Sequence, residues 1–352
     1  MLEVSLIIII ILVLVLPITV HFIEKNLEAF LFFMGILAVT FSHFWNNEKM
    51  WSFRLVKEAL VEPIMITLAV VVVGIIVFIF KKQIEKYISG IEKSLGREWF
   101  TFSLILFLGL FSSFITAIMA AILLVEIISV LKYQKGLEIK IVILGCFSIG
   151  FGAALTPIGE PLSTIMIAKL RGGPYYADFF FLLRNAGQFI IPGILFFSIL
   201  GFFLKDTSQK NESGLHEKTN EKIQDIFIRG GKVYLFIMAL IFLGAGFKPI
   251  IDKYIIHLPG GALYWINILS AVMDNATLSA AEISPKMSLL QIKYVLMGLL
   301  IAGGMLIPGN IPNIISAGRL GIKSKQWAKY GVPLGFIVMI IYFLIFEVFI
   351  SS

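Results

Sequence analysis

The stretch Gly150-Phe-Gly-Ala-Ala-Leu-Thr156-Pro157-Ile-Gly159-Glu160-Pro161-Leu-Ser163-Thr164 interrupts an apolar segment that runs over 139–169. A second stretch, Gly303-Gly-Met-Leu-Ile-Pro308-Gly309-Asn310-Ile-Pro312-Asn313, interrupts another over 293–318. Each sets glycines and two prolines, four residues apart, inside a run that would otherwise be one helix. Proline removes a backbone donor and clashes with the preceding turn. Irregular backbone at bilayer depth is tolerated only where protein or a water-filled cavity satisfies it. Both segments are therefore expected to be discontinuous helices lining an internal pathway.

The rest of the chain supplies the bilayer setting. Of 352 residues, 59% are hydrophobic and 14% charged, against about 25% charged in soluble domains. A span needs about 20 apolar residues. Such runs fall near 4–22, 27–45, 61–80, 100–131, 139–169, 179–204, 232–247, 260–283, 293–318 and 328–350. A basic amphipathic stretch covers 81–98, a short amphipathic one follows 247 to about 258, and a polar loop covers 205–230. The run at 5–20 has no basic lead and no cleavage site after it, so it reads as a retained span. The single cysteine, Cys146, rules out an intrachain disulfide, and the four histidines are scattered. The expected class is an all-α polytopic membrane protein.

Two further segments have polar centres. The region 100–131 would be about 48 Å long as one helix, well beyond a hydrocarbon core of about 30 Å. Its middle holds Ser112, Ser113 and Thr116. The segment 260–283 has Ser270-Ala-Val-Met-Asp274-Asn275-Ala-Thr277 at its middle. Two readings fit each: a re-entrant hairpin with its tip near the midplane, or one long tilted span. The hairpin is the reading followed here.

The oddities come in the same order twice: span, amphipathic stretch, hairpin, broken span, final span. Ser113 then corresponds to Ser270, Pro157 to Pro308 and Pro161 to Pro312. The expected organisation is two extra helices over 1–58, a first repeat over 59–204, a linker over 205–230 and a second repeat over 231–352. With hairpins counted as no crossing, loops near 21–26, 81–98, 132–140, 205–232 and 319–329 share a side and hold 19 of the 29 Lys and Arg. The positive-inside rule makes that side cytoplasmic. Both termini are then outside, and the second repeat is inverted relative to the first. The net charge of +7 reads as this loop bias rather than as a nucleic-acid surface.

Inverted repeats with discontinuous helices bind substrate and coupling ions at the midplane. Two tips and two breaks should meet there. Asp274 is the strongest candidate, because a carboxylate at that depth costs at least about 2.5–3.5 kcal/mol. Asn275 and Thr277 beside it are neutral donors. Its alternative role is capping the second hairpin arm. Glu160, with Thr156, Ser163 and Thr164, forms an oxygen-rich cluster in the first break, and could equally serve the dipole of the following half-helix. Asn310 and Asn313 occupy the second break, as ligands or as satisfiers of freed backbone. Ser113 and Thr116 either face the site or bond their own helix. Glu126 and Glu282, on the second hairpin arms, are secondary candidates. Lys169, Arg171, Arg184 and Arg319 sit at span ends, so carboxylates without a central counter-cation favour a cationic cargo.

At these residues the sequence resembles the ion transporter superfamily, which includes sodium/proton antiporters of the NhaD type, arsenite permeases and divalent-anion/sodium symporters. Thr156-Pro-Ile-Gly159-Glu160-Pro161 is similar to their Thr-Pro-Ile-Gly broken-helix motif, and Ser270-Ala-Val-Met-Asp274-Asn275-Ala-Thr277 to their hairpin tip. The closest resemblance is to an uncharacterised family of cation transporters in that group. It implies a scaffold, an elevator-like transport domain, a homodimer, and ion sites between each tip and the neighbouring break. It departs from the pattern at Ser113-Phe-Ile-Thr116-Ala117, where many relatives carry Asn or Asp, and in having fewer scaffold spans in the second half.

The expected function is secondary active transport at the plasma membrane, exchanging sodium or another monovalent cation for protons, with no cofactor beyond the transported ions. Asp274, Asn275 and Glu160 are the expected sodium ligands. A permease for arsenite or a small carboxylate is the alternative. No nucleophile–base arrangement points to an enzyme.

Overall fold

A computed structural model describes the chain except positions 1, 21, 24–25, 46–49, 132, 205–222, 251–252, 255–257, 274 and 350–352. Its described residues form fourteen α-helices and two short 3-10 turns. Six helices contain stretches long and apolar enough to cross a membrane: Leu27–Phe44, Arg97–Ile115, Lys135–Ala153, Phe181–Phe202, Ile226–Ile250 and Ser324–Val348. The chain is a multi-pass membrane protein.

The first helices are α1 (Leu2–Thr19), α2 (Leu27–Trp45) and α3 (Phe53–Leu95). The expected span 61–80 lies inside α3, which at 43 residues is about 65 Å long. The basic stretch 81–98 continues the same helix to Leu95 instead of forming a separate element, and Gly96 stops it at φ 78°. Tyr133 donates to Glu92 Oε1 at 2.5 Å and ties that end of α3 to the loop before the next span.

The region 100–131 is two helices, α4 (Arg97–Ile115) and α5 (Ala117–Leu131). The break is Thr116, at φ 76° and ψ 149°, a conformation that a β-branched residue strongly disfavours. Next comes α6 (Lys135–Ala153), which leaves helical geometry after Ala153, and α7 (Pro161–Lys169), which restarts at a proline. Proline at a helix start is favourable, since its missing donor would be unpaired there anyway. Helices α8 (Phe181–Phe202) and α9 (Ile223–Ile250) follow.

The last third continues with shorter elements. α10 (Gly260–Ile266) runs into a 3-10 turn at Asn267–Ala271, and α11 (Asn275–Glu282) follows. α12 (Leu289–Gly303) ends at the second break, which holds the 3-10 turn Ile307–Gly309. The helix resumes as α13 (Ile311–Leu320), and α14 (Ser324–Phe349) closes the chain. Both interrupted segments read from the prolines are thus interrupted in the fold.

Packing joins these elements in pairs. α4 crosses α6, and α10 crosses α12. Small residues and side-chain hydroxyls allow the first crossing. A Cβ on Gly152 would lie 1.7 Å from the Gly109 carbonyl oxygen, so the backbones touch as small-residue membrane interfaces permit. Ser148 donates to Ile105 O at 2.9 Å and Ser112 to Ile149 O at 3.0 Å. At the second crossing Gly298 faces the Tyr264 carbonyl oxygen. Asn267 donates to Val295 O and Ser270 to Leu299 O, each at 3.3 Å. Further along the chain, α5 packs on α13, and α11 packs on α7. α2, α3 and α9 pack together beside this group, with α9 in contact with both of the others. Phe147, Phe151 and Phe197 stack where α6 meets α8.

Candidate functional site

The junction between α4 and α5, expected from the sequence to be a hairpin tip, is tied to the first break by two hydrogen bonds. Thr156 Oγ1 donates to Ser113 O at 2.5 Å, and Ala117 N donates to Gly159 O at 2.8 Å. Gly159 fits there because it lies against the Ala153 carbonyl, with 2.0 Å between that oxygen and an added Cβ. Thr116 Oγ1 accepts from Met119 N at 3.3 Å and so starts α5. The strained Thr116 is therefore held from both sides.

These contacts leave a cavity of about 350 Å³. Thr116 and Ala117 line it from the first tip, and Pro157, Gly159, Glu160 and Thr164 from the first break. Asn275, the first residue of α11, and Asn310, from the second break, complete its polar wall. Pieces of four segments far apart in sequence meet at one place.

Glu160 is buried, stands at the N-cap position of α7 and makes no side-chain cap hydrogen bond. Its place at the start of the helix is the one where a negative charge suits the helix dipole. Asn310 has the same station at the start of α13, again without a side-chain cap. Thr164 donates to Pro157 O at 2.6 Å and steadies the break. Nδ2 of Asn275 is buried without a hydrogen-bond partner among the described residues.

Other candidates act on the framework. Asn313 donates to Gly303 O and Leu306 O, both at 2.8 Å. Those carbonyls lost their helical partners at the break, and Asn313 satisfies them. Ser163 reaches the Ala153 carbonyl at 3.5 Å in the first break. Ser113 donates to Leu110 O within its own helix at 2.8 Å. None of Asn313, Ser163, Ser113 and Thr156 lines the cavity. Asp274 lies outside the described residues, as does the side chain of Thr277.

Glu126 pairs with Arg319, between α5 and α13, with side chains 7% and 8% exposed. Arg319 is at a helix end, as its position in the sequence indicates, but its guanidinium turns inward. Glu126 therefore has a counter-cation that spacing alone did not reveal. Arg319 also borders a separate cavity of about 290 Å³ between α9 and α13, where Glu28 and Lys232 pair at 2.7 Å. Glu282, on α11, is buried away from any cation pair among the described residues. Ser279 and Asn267 are buried polar neighbours that sequence reading passed over. Ser279 could have been found by its spacing of four from Asn275 and three from Glu282.

A family model described as a protein of unknown function (DUF1646) matches residues 3–349, and the chain belongs to that family. No curated protein matches the chain.

Proposed function

We propose that this member of a family of unknown function is a secondary active transporter that exchanges sodium, or another monovalent cation, for protons. The observation that carries the reading is the cavity where Glu160 meets neutral oxygen-bearing groups from two helix breaks and two helix tips. A carboxylate with neutral oxygens suits a hard monovalent cation, and a carboxylate inside a membrane protein is also a natural proton carrier. Asp274, adjacent in sequence to Asn275, is assigned with Glu160 to the site where cation and proton compete. Asn275, Thr277, Thr116 and Asn310 are its neutral complement, and Thr156, Ser163, Ser113 and Asn313 hold the backbone that carries it.

Two inverted repeats with re-entrant hairpins account for the packing. Each second arm lies against the restarted half of the other repeat's broken helix, a relation that a pseudo-two-fold axis generates. In this reading α4–α7 and α10–α13 move as an elevator against α2, α3 and α9 in a homodimer at the plasma membrane, with both termini outside. The resemblance to the ion transporter superfamily points the same way.

A second reading is a permease for arsenite or a small carboxylate. It is favoured by the unpartnered amide of Asn275 and by the starts of α7 and α13 at the cavity, since helix N-termini hold anions. Purified protein in proteoliposomes separates the two. Proton flux driven by a cation gradient, screened over a panel of cations, supports antiport. Sodium uptake that needs an added anion supports the permease.

A further inference from the structure

The helix α11 carries a polar stripe that continues beyond the cavity. Asn275, Ser279 and Glu282 are spaced four and three residues apart, which puts them on one helical face. All three are buried, at 3%, 0% and 2% exposure. Asn275 Nδ2, Ser279 Oγ and both Glu282 carboxyl oxygens have no hydrogen-bond partner among the described residues. Asn267, in the neighbouring 3-10 turn, is also fully buried. It spends its Nδ2 on Val295 O and leaves its own Oδ1 unpartnered. Buried polar atoms are nearly always satisfied, by protein or by ordered water. A row of them with one end on a cavity is a path that water can fill.

The corresponding arm, α5, has no such row. Counting back from Glu126 by three and seven gives Leu123 and Met119, and Glu126 itself is neutralised by Arg319. Glu282 has no equivalent ion pair among the described residues. A carboxylate buried without a cation partner is costly to ionise, which suits a group that takes up and gives back a proton.

We propose that Glu282 is the proton site of the exchange, and that Ser279 and Asn275, with water between them, carry its proton to the cavity at Glu160. The proposal rests on the cation/proton reading and deepens it by giving the proton that competes at Glu160 a holding residue and a route. When Glu282 releases its proton to the water of the stripe, it becomes a carboxylate and needs a cation. Lys169, at the end of α7, is at hand: its ammonium donates to the carbonyl of Ile283, the next residue, at 3.2 Å. No other charged group has been drawn into that role. Of the elements packed on α11, α12 contributes Lys293, which lies over the Phe189 ring, and Tyr294, bonded to Glu347. The segment 260–271 contributes Tyr264, bonded to Met339 O. α9 contributes Lys232, paired with Glu28, Tyr234, bonded to Leu60 O, and Lys248 in its last turn. Glu160 stands at the opposite end of α7.

The test uses the full chain in proteoliposomes, with two variants and two readouts. Glu282→Gln keeps the shape of the protonated side chain. It should abolish proton flux driven by a sodium gradient while isotopic sodium-for-sodium exchange persists. Ser279→Ala should slow the proton flux and spare the isotopic exchange. Infrared spectra of the wild type at neutral pH should show a protonated-carboxyl band that is missing from Glu282→Gln. Sodium-driven proton flux that survives in Glu282→Gln, or infrared spectra that do not differ, overturns the proposal. A wild type that exchanges no cation at all instead overturns the antiport reading, and the infrared comparison still decides whether Glu282 holds a proton.

Discussion

Glu160 and Asn310 occupy the same station in two different helices. Each is the N-cap residue of a helix restarted after a break, with φ and ψ of −156° and 159° for Glu160 and −154° and 148° for Asn310. Each is followed by a proline in the first turn, neither caps with its side chain, and both face one cavity. The two stations differ in charge, one carboxylate against one amide. The two breaks together bring a single formal charge to the cavity.

If Asn310 is a neutral ligand, its removal has a modest effect and its conversion to an acid an opposite one. A neutral hydrogen-bonding partner contributes about 0.5–1.5 kcal/mol. Asn310→Ala should therefore raise the half-saturating cation concentration roughly two- to tenfold. Asn310→Asp, which adds a further carboxylate, should lower it. Cation titrations of proton flux in proteoliposomes read both.

The pair between Glu126 and Arg319 should matter for folding more than for the ion. Removing one partner of a buried pair leaves an uncompensated charge and costs about 3–5 kcal/mol. Arg319→Ala or Glu126→Ala alone should sharply lower the melting temperature in detergent. Glu126→Gln together with Arg319→Gln should recover much of the loss, because no buried charge remains. A double-mutant cycle on thermal stability measures the coupling.

Two glycines predict opposite signs. Gly152→Ala would force the α4 and α6 backbones apart, since the new Cβ meets the Gly109 carbonyl oxygen at 1.7 Å. Overpacking of this kind costs about 1–3 kcal/mol or more, so the variant should melt lower or fail to accumulate. Gly90, in the exposed part of α3, has nothing within 4 Å of the added atom. Gly90→Ala should stabilise by up to about 1 kcal/mol through helix propensity. Melting curves of the two variants are the check.

Asn313 separates framework from ligand. Asn313→Asp keeps the size but removes the two donors that hold Gly303 O and Leu306 O. Leaving buried carbonyls unsatisfied costs about 1–3 kcal/mol. The expected result is lower thermal stability from a residue that does not line the cavity, with Asn313→Ala similarly affected. If Asn313→Ala melts like the wild type, the amide is not a framework bond.

The breaks were legible because proline and glycine act locally: Pro157, Pro161, Pro308 and Pro312 mark where the helices stop and restart. The first tip was legible for a different reason, since a segment too long for the bilayer with Ser112, Ser113 and Thr116 at its middle has to interrupt somewhere. Side-chain direction was not legible. Asn310 and Asn313 are three residues apart and look alike in sequence, yet one faces the cavity and the other turns back to the break. Arg319 sits at a helix end, and only the packing of α13 on α5 turns it inward. The stripe Asn275, Ser279 and Glu282 lay in plain helical spacing but was masked by the stronger signal of Asp274, a position outside the described residues. The continuity of α3 through its basic half was also not readable, because a drop in hydrophobicity ends a span without ending a helix.

The central claim is that the cavity at Glu160 takes a cation in competition with protons. Glu160→Gln tests it most directly, in proteoliposomes loaded with a pH-sensitive dye and given a sodium gradient. The account predicts sodium-dependent proton movement in the wild type. It also predicts that this movement is lost in a Glu160→Gln protein that melts like the wild type. Wild-type proton movement retained in Glu160→Gln would contradict it.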